Sequence, residues 1–108
     1  MGAITEAKTL FDAATATGSS SYFDVKKGLV NIQGFLSNTT TPAATVIIEG
    51  TNEDTPANPV TIKTLSLSGA KAADGYTFVS GYYWVRARIS AITGTNATCT
   101  VLGRVFVP

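Results

Sequence analysis

The sequence has no histidine, a single cysteine and few charges, and each shortage removes a class of function. Without histidine, the commonest general base and the usual imidazole metal ligand are gone. Cys99 stands alone, so it cannot close an intrachain disulfide, and as a nucleophile it would lack a histidine partner. Charged residues are 14% of the chain, against about 25% in ordinary globular domains. The net charge of +1 gives no electrostatic case for nucleic acid or for an acidic membrane surface. No run approaches the ~18 apolar residues that span a bilayer. Residues Met1 to Glu6 carry neither the basic segment nor the apolar run of a secretory signal, and Glu6 stands where myristoylation needs Ser or Thr. Neither common glycine-rich phosphate loop is present. The expectation is a non-enzymatic protein made in a reducing interior, with no cofactor and no metal.

What replaces the missing charge is Thr, Ser, Ala and Gly. At 108 residues the chain is long enough for one core and too short for two. Thr is β-branched and suits a pleated surface, so the composition leans all-β. Short apolar runs follow one another: Thr9 to Ala14, Ser21 to Val25, Leu29 to Leu36, Ala44 to Gly50, Val60 to Leu67, Tyr76 to Val79, Tyr82 to Ile92 and Ala97 to Val107. Turn chemistry separates them, including Thr17-Gly18-Ser19-Ser20, Asn38 to Pro42, Thr51 to Pro59 and Thr93 to Asn96. This spacing predicts a single-domain antiparallel β-sandwich, immunoglobulin-like or jelly-roll-like.

Side chains alternate across a strand, so parity separates core from surface. Val30, Ile32 and Leu36 are expected inside, with Asn31, Gln33 and Phe35 outside; Val46 and Ile48 oppose Ile47 and Glu49. Cys99 shares the inward parity of Ala97, Val101, Val105 and Val107 and reads as a small buried apolar residue. Between Val60 and Leu67 the parity conflicts, since Val60 and Ile62 share one face and Leu65 and Leu67 the other; a bulge near Lys63-Thr64 would reconcile them. Near the start, Ile4, Ala7, Phe11 and Ala14 lie at helical spacing, while Thr5, Thr9, Thr15 and Thr17 disfavour a helix. An extended first strand is expected, with a helical arm as the alternative. The acidic group Glu49, Glu53 and Asp54 lacks the spacing of a calcium loop and reads as a turn.

The segment from Gly81 to Pro108 carries the most information. In its first strand Tyr83, Val85, Ala87, Ile89 and Ala91 form the inward row, and Tyr82, Trp84, Arg86 and Arg88 form the outward one. Trp, Tyr and Arg dominate interface hot spots, and aromatic clusters of this size are uncommon on isolated monomers. Arg104 and Phe106 have the outward parity of the last strand and would extend the patch if that strand neighbours the first. These six residues are the candidate protein interface.

The same residues carry a resemblance. T-L-F-D-A-A-T-A-T-G (Thr9 to Gly18), F-D-V (Phe23 to Val25), I-Q-G (Ile32 to Gly34), T-V-I-I-E-G-T-N-E-D (Thr45 to Asp54) and G-Y-Y-W-V-R-A-R-I-S-A-I-T-G-T-N-A-T-C-T-V (Gly81 to Val101) together resemble a group of small virion proteins of tailed bacteriophages. That group is similar to head decoration (cement) proteins, and it supplies no catalytic residues. The resemblance implies a virion component made in the host cytoplasm, binding the major capsid protein over capsomer joints. It implies a homo-oligomer as well, with a trimer as the leading arrangement. A tail, connector or fibre component is the alternative within the class. Outside it stands a carbohydrate- or host-surface-binding module, with Trp84 and Tyr82 stacking on sugar and Arg86 and Glu49 as polar partners. Residues 1–8 hold too few large apolar groups for a core of their own and are expected as an inter-subunit arm anchored by Ile4.

Overall fold

A computed structural model of the chain describes residues 4–25, 28–37 and 42–107. Among the described residues nine strands follow one another: β1 (Ile4–Ala14), β2 (Gly18–Ser19), β3 (Phe23–Asp24), β4 (Leu29–Ser37), β5 (Ala43–Thr51), β6 (Val60–Ser68), β7 (Ala73–Val79), β8 (Trp84–Thr93) and β9 (Thr98–Val107). They form two antiparallel sheets, one in the order β1-β9-β4-β7 and the other β2-β8-β5-β6, with β3 also on β8. If β2 and β3 are taken as one interrupted strand, the pairs β1 with β9, β2/β3 with β8, β4 with β7 and β5 with β6 nest inside one another. A hairpin of paired strands has been rolled so that its layers alternate between two sheets. That is the jelly roll, and of the two expected sandwiches it is the one observed.

The core lies between the sheets. Val30 and Ile32 from β4, Val46 and Ile48 from β5, Leu65 from β6, Val85 and Ala87 from β8, and Cys99 and Val101 from β9 are all fully buried. Each aliphatic side chain of this kind contributes on the order of 1.5–3 kcal/mol. Gly34 sits within this layer, where its missing side chain leaves room for Leu67, Val46 and Val101. Ala97 and Val105 are buried too, as parity requires; the side chain of Val107 lies outside the described residues.

Bulges on three strands account for the places where alternation failed. On β6, Ile48 pairs with Lys63 and Glu49 with Thr61, so the extra residue is Ile62, one position before the expected site. Leu65 and Leu67 are buried, Ile62 packs on the edge of the core, and Val60 is left 45% exposed. On β8 the shift falls between Ile89 and Ala91. Ile92 therefore turns inward and Ala91 outward, reversing the expectation for Ala91. On β1 the register slips twice, around Leu10 and before Ala14, where Ala13 has a φ of 50°. Leu10, Phe11 and Ala14 thereby all reach the core. The helical spacing of Phe11 and Ala14 is the signature of a bulged strand, because each extra residue adds to a period of two.

Residues 4–8 are not set apart from the sheet: Ile4↔Val107 through Lys8↔Gly103 pair along the same chain's β9. The expected anchoring side chain of Ile4, and residues 1–3, lie outside the described residues.

Burial also sets the chemistry of the single thiol. Cys99 is 0% exposed, and desolvation pushes its pKa up, favouring the neutral thiol in the folded state. The folded form then holds its proton where the unfolded form releases it, so this group's contribution is complete below the ordinary thiol range and is lost as pH rises through it. Native protein at neutral pH should react with a thiol reagent roughly 1,000-fold more slowly than protein in denaturant. Equal rates in the two states would place Cys99 outside the core.

Candidate protein-binding surface

Pairing decides which of the candidate residues share a face. On the outer side of the five-stranded sheet, β8 presents Trp84, Arg86 and Arg88, and β5 beside it presents Thr51, Glu49 and Ile47 in register. The three pairs are Trp84↔Thr51, Arg86↔Glu49 and Arg88↔Ile47. Glu49 lies between the two arginines, with Arg86 Nε donating to Oε1 at 2.9 Å and Arg88 Nε donating to Oε2 at 3.2 Å. The residue is only 5% exposed although it faces outward, because the two guanidinium groups cover it. A second contact holds Arg86 from its other side, where its guanidinium stands 4.7 Å from the centre of the Tyr22 ring. The result is a cluster of two cations, one anion and an aromatic ring, with an excess positive charge.

The sequence places Glu49 in an acidic group read as a turn and, in the carbohydrate alternative, beside Arg86 as a polar partner for sugar. Its partners could not be found from β5 alone, since they come from a strand about 40 positions later. Glu53 instead accepts from Thr51 Oγ1 and Asn58 Nδ2, both at 3.4 Å, and closes the β5–β6 loop. Among the described residues no three of His, Cys, Asp or Glu stand together as a metal-binding group.

Among the candidates expected on β8, Tyr82 departs from the expected row, and its neighbour Tyr83 departs from the inward one. Residues 81–83 form a bend, and β8 begins at Trp84. Within the bend Ser80 Oγ accepts from Tyr82 N at 3.0 Å. The Tyr82 ring folds under the sheet, so close to Gly50 that a Cβ placed there would lie 2.8 Å from the ring's Cγ. Glu49 and Thr51 face outward, so this side of Gly50 is the inner one, and Tyr82 lies half-buried against it. Tyr83, expected inside, is 41% exposed and meets Trp84 edge to face with ring centres 5.4 Å apart.

Arg104 and Phe106 do not extend the patch. β9 follows β8 in sequence but enters the other sheet, turning through Gly94 and Asn96, both at positive φ. The pair therefore emerges on the opposite face of the sandwich. There Phe106 pairs with Leu29, and Leu29 with Val79, giving an apolar row across β9, β4 and β7. Leu29 is 40% and Val79 75% exposed. Farther along this face an open depression of about 210 Å³ is bordered by Thr9, Asn31, Gln33, Leu102 and Arg104. Trp84, Arg86 and Arg88 thus lie on one outer face of the sandwich, and Arg104, Phe106, Leu29 and Val79 on the other.

No family model and no curated protein matches the sequence. Among solved structures the chain is similar to the crystal structure of the SPBc2 prophage-derived protein YomS, with a TM-score of 0.64. The match covers 96% of this chain and 94% of that one at 16% sequence identity. At that identity the likeness is one of fold, and it extends over the whole sandwich.

Proposed function

We propose that the chain is a non-enzymatic structural protein of a phage particle, and that it decorates the head by binding the major capsid protein across capsomer joints as a homo-oligomer. The observation that carries this reading is the pair of opposed faces. One holds Trp84, Arg86 and Arg88 around Glu49, and the other holds Phe106, Leu29 and Val79. A decorating protein needs two such surfaces, one toward its own copies and one toward the shell. Occupying both adds binding free energy only to the assembled particle, and repetition turns weak contacts into a strong total. The resemblance of the sequence to small tailed-phage virion proteins supports the reading. So does the prophage origin of the protein whose fold it shares. The jelly roll is an architecture of viral capsid proteins, which adds support at the level of analogy.

The faces can be tested separately. Val79 is 75% exposed, so Val79→Asp should alter stability by no more than about 0.5 kcal/mol. It should nevertheless weaken self-association or particle binding at least tenfold. Trp84→Ala should weaken binding through the other face by a hot-spot amount, about 2 kcal/mol or some thirtyfold. Sedimentation at micromolar concentration and co-pelleting with particles read both. A monomer whose particle binding is indifferent to both substitutions would overturn the proposal.

A further inference from the structure

Beside the charged cluster, at the mouth of the β5–β6 loop, lies an open depression of about 290 Å³ bordered by Asn52, Asp54, Tyr83 and Trp84. We infer that this depression is a saccharide-binding site. The inference shares Trp84 with the charged face but otherwise rests on Asn52, Asp54 and Tyr83, which the decoration reading does not use.

The site is built by the bend before β8. Tyr82 turns under the sheet against Gly50, and the next residue, Tyr83, stands 41% exposed beside Trp84. The two rings meet at 77°, so together they offer an aromatic face and an adjoining edge. The bend is tied to the loop opposite, where Tyr83 N donates to Asn52 Oδ1 at 2.8 Å. That bond fixes the amide: its acceptor is committed to the backbone, which leaves Nδ2 as the end that serves a ligand. Glu53 is occupied in bracing the loop through Thr51 and Asn58, while its neighbour Asp54 is exposed and borders the depression.

An aromatic platform with an amide donor and a carboxylate acceptor at its rim matches the two surfaces of a sugar. The C–H face of a pyranose lies on a ring, and adjacent hydroxyls donate to a carboxylate and accept from an amide. Directional polar groups beside an apolar wall are the usual composition of a small-ligand site. The opening is shallow and sized for one ring or a chain end. Its only charged border residue, Asp54, is negative, which favours neutral sugars over phosphorylated or uronic ones. The arrangement differs from the expected sugar site, since Tyr83 takes the place of Tyr82, and Asn52 and Asp54 take the places of Arg86 and Glu49.

The test uses the full chain on a glycan array of bacterial and animal surface sugars, followed by ¹H–¹⁵N NMR titration with the best-bound glycan and with N-acetylglucosamine trisaccharide. Saturable shifts are expected at the Trp84 indole and at the amides of Asn52, Asp54 and Tyr83. Asp54→Asn and Tyr83→Ala should each weaken that binding at least tenfold, while sedimentation and particle pelleting stay as in the unaltered protein. No array signal together with no saturable shift would overturn the inference, as would shifts confined to another face. So would a lysine-rich peptide moving these signals where the sugars do not. The wild-type shift map decides the matter even where a variant fails to fold.

Discussion

Replacing Glu49 with alanine should lower the unfolding free energy by about 3 kcal/mol, the low end of the range for breaking a buried ion pair. Glu49 is nearly inaccessible and holds two guanidinium groups at 2.9 and 3.2 Å. Once it is gone, Arg86 and Arg88 face each other with no anion between them. The side chains of Arg86 and Arg88 are 21% and 37% exposed, so both can partly swing toward water, which keeps the loss from being larger. For a domain of this size that figure corresponds to a melting temperature lower by roughly 12–24 °C. Glu49→Gln keeps an acceptor and the shape but loses the charge, and should cost less than Glu49→Ala. Thermal and urea unfolding of the two variants check the order. A loss below about 1 kcal/mol for Glu49→Ala would mean that the arginines are solvated individually and that the face is not a pre-formed cluster.

Gly50→Ala should be nearly as damaging for a different reason. The φ of Gly50 is not in the left-handed region, so the backbone would tolerate a side chain; the space does not. An added methyl group would lie 2.8 Å from Cγ and 2.9 Å from both Cβ and Cδ2 of Tyr82. These atoms are at the root of the ring and cannot swing aside without moving the bend at 80–83. Overpacking of this kind costs about 1–3 kcal/mol. In the double variant Gly50→Ala, Tyr82→Ala, the clash should be relieved, so the combined loss should be smaller than the sum of the two single losses. Strict additivity would contradict the placement of Tyr82 under the sheet.

The contrast between Glu49 and Tyr82 shows what could be learned from the chain alone. Alternation placed Val85, Ala87, Ile89, Cys99 and Val101 in the core, because β-branched and small apolar residues at period two have one physical meaning in a half-buried strand. It also put Trp84, Arg86 and Arg88 on one outer row. Alternation fails wherever an extra residue enters a strand. Ile92 replaced Ala91, Ile62 took the bulge, and the bulged β1 mimicked helical spacing. It failed again at Tyr82 and Tyr83, where a bend held by Ser80 is not a strand at all. Parity carries no information on which strands become neighbours. In a jelly roll β8 and β9 follow each other in the chain but lie in opposite sheets, and this separated Arg104 and Phe106 from the patch they were expected to join. The pairing of Glu49 with two arginines was hidden for the same reason, since it depends on β5 lying beside β8.

The most direct test of the proposed role is the copy number of this chain in purified particles, measured by quantitative mass spectrometry against the major capsid protein. A head-decorating protein predicts a fixed, stoichiometric ratio set by the capsomer joints, unchanged when tails are removed. Absence from particles would contradict the account, and a handful of copies lost with the tails would contradict its assignment to the head.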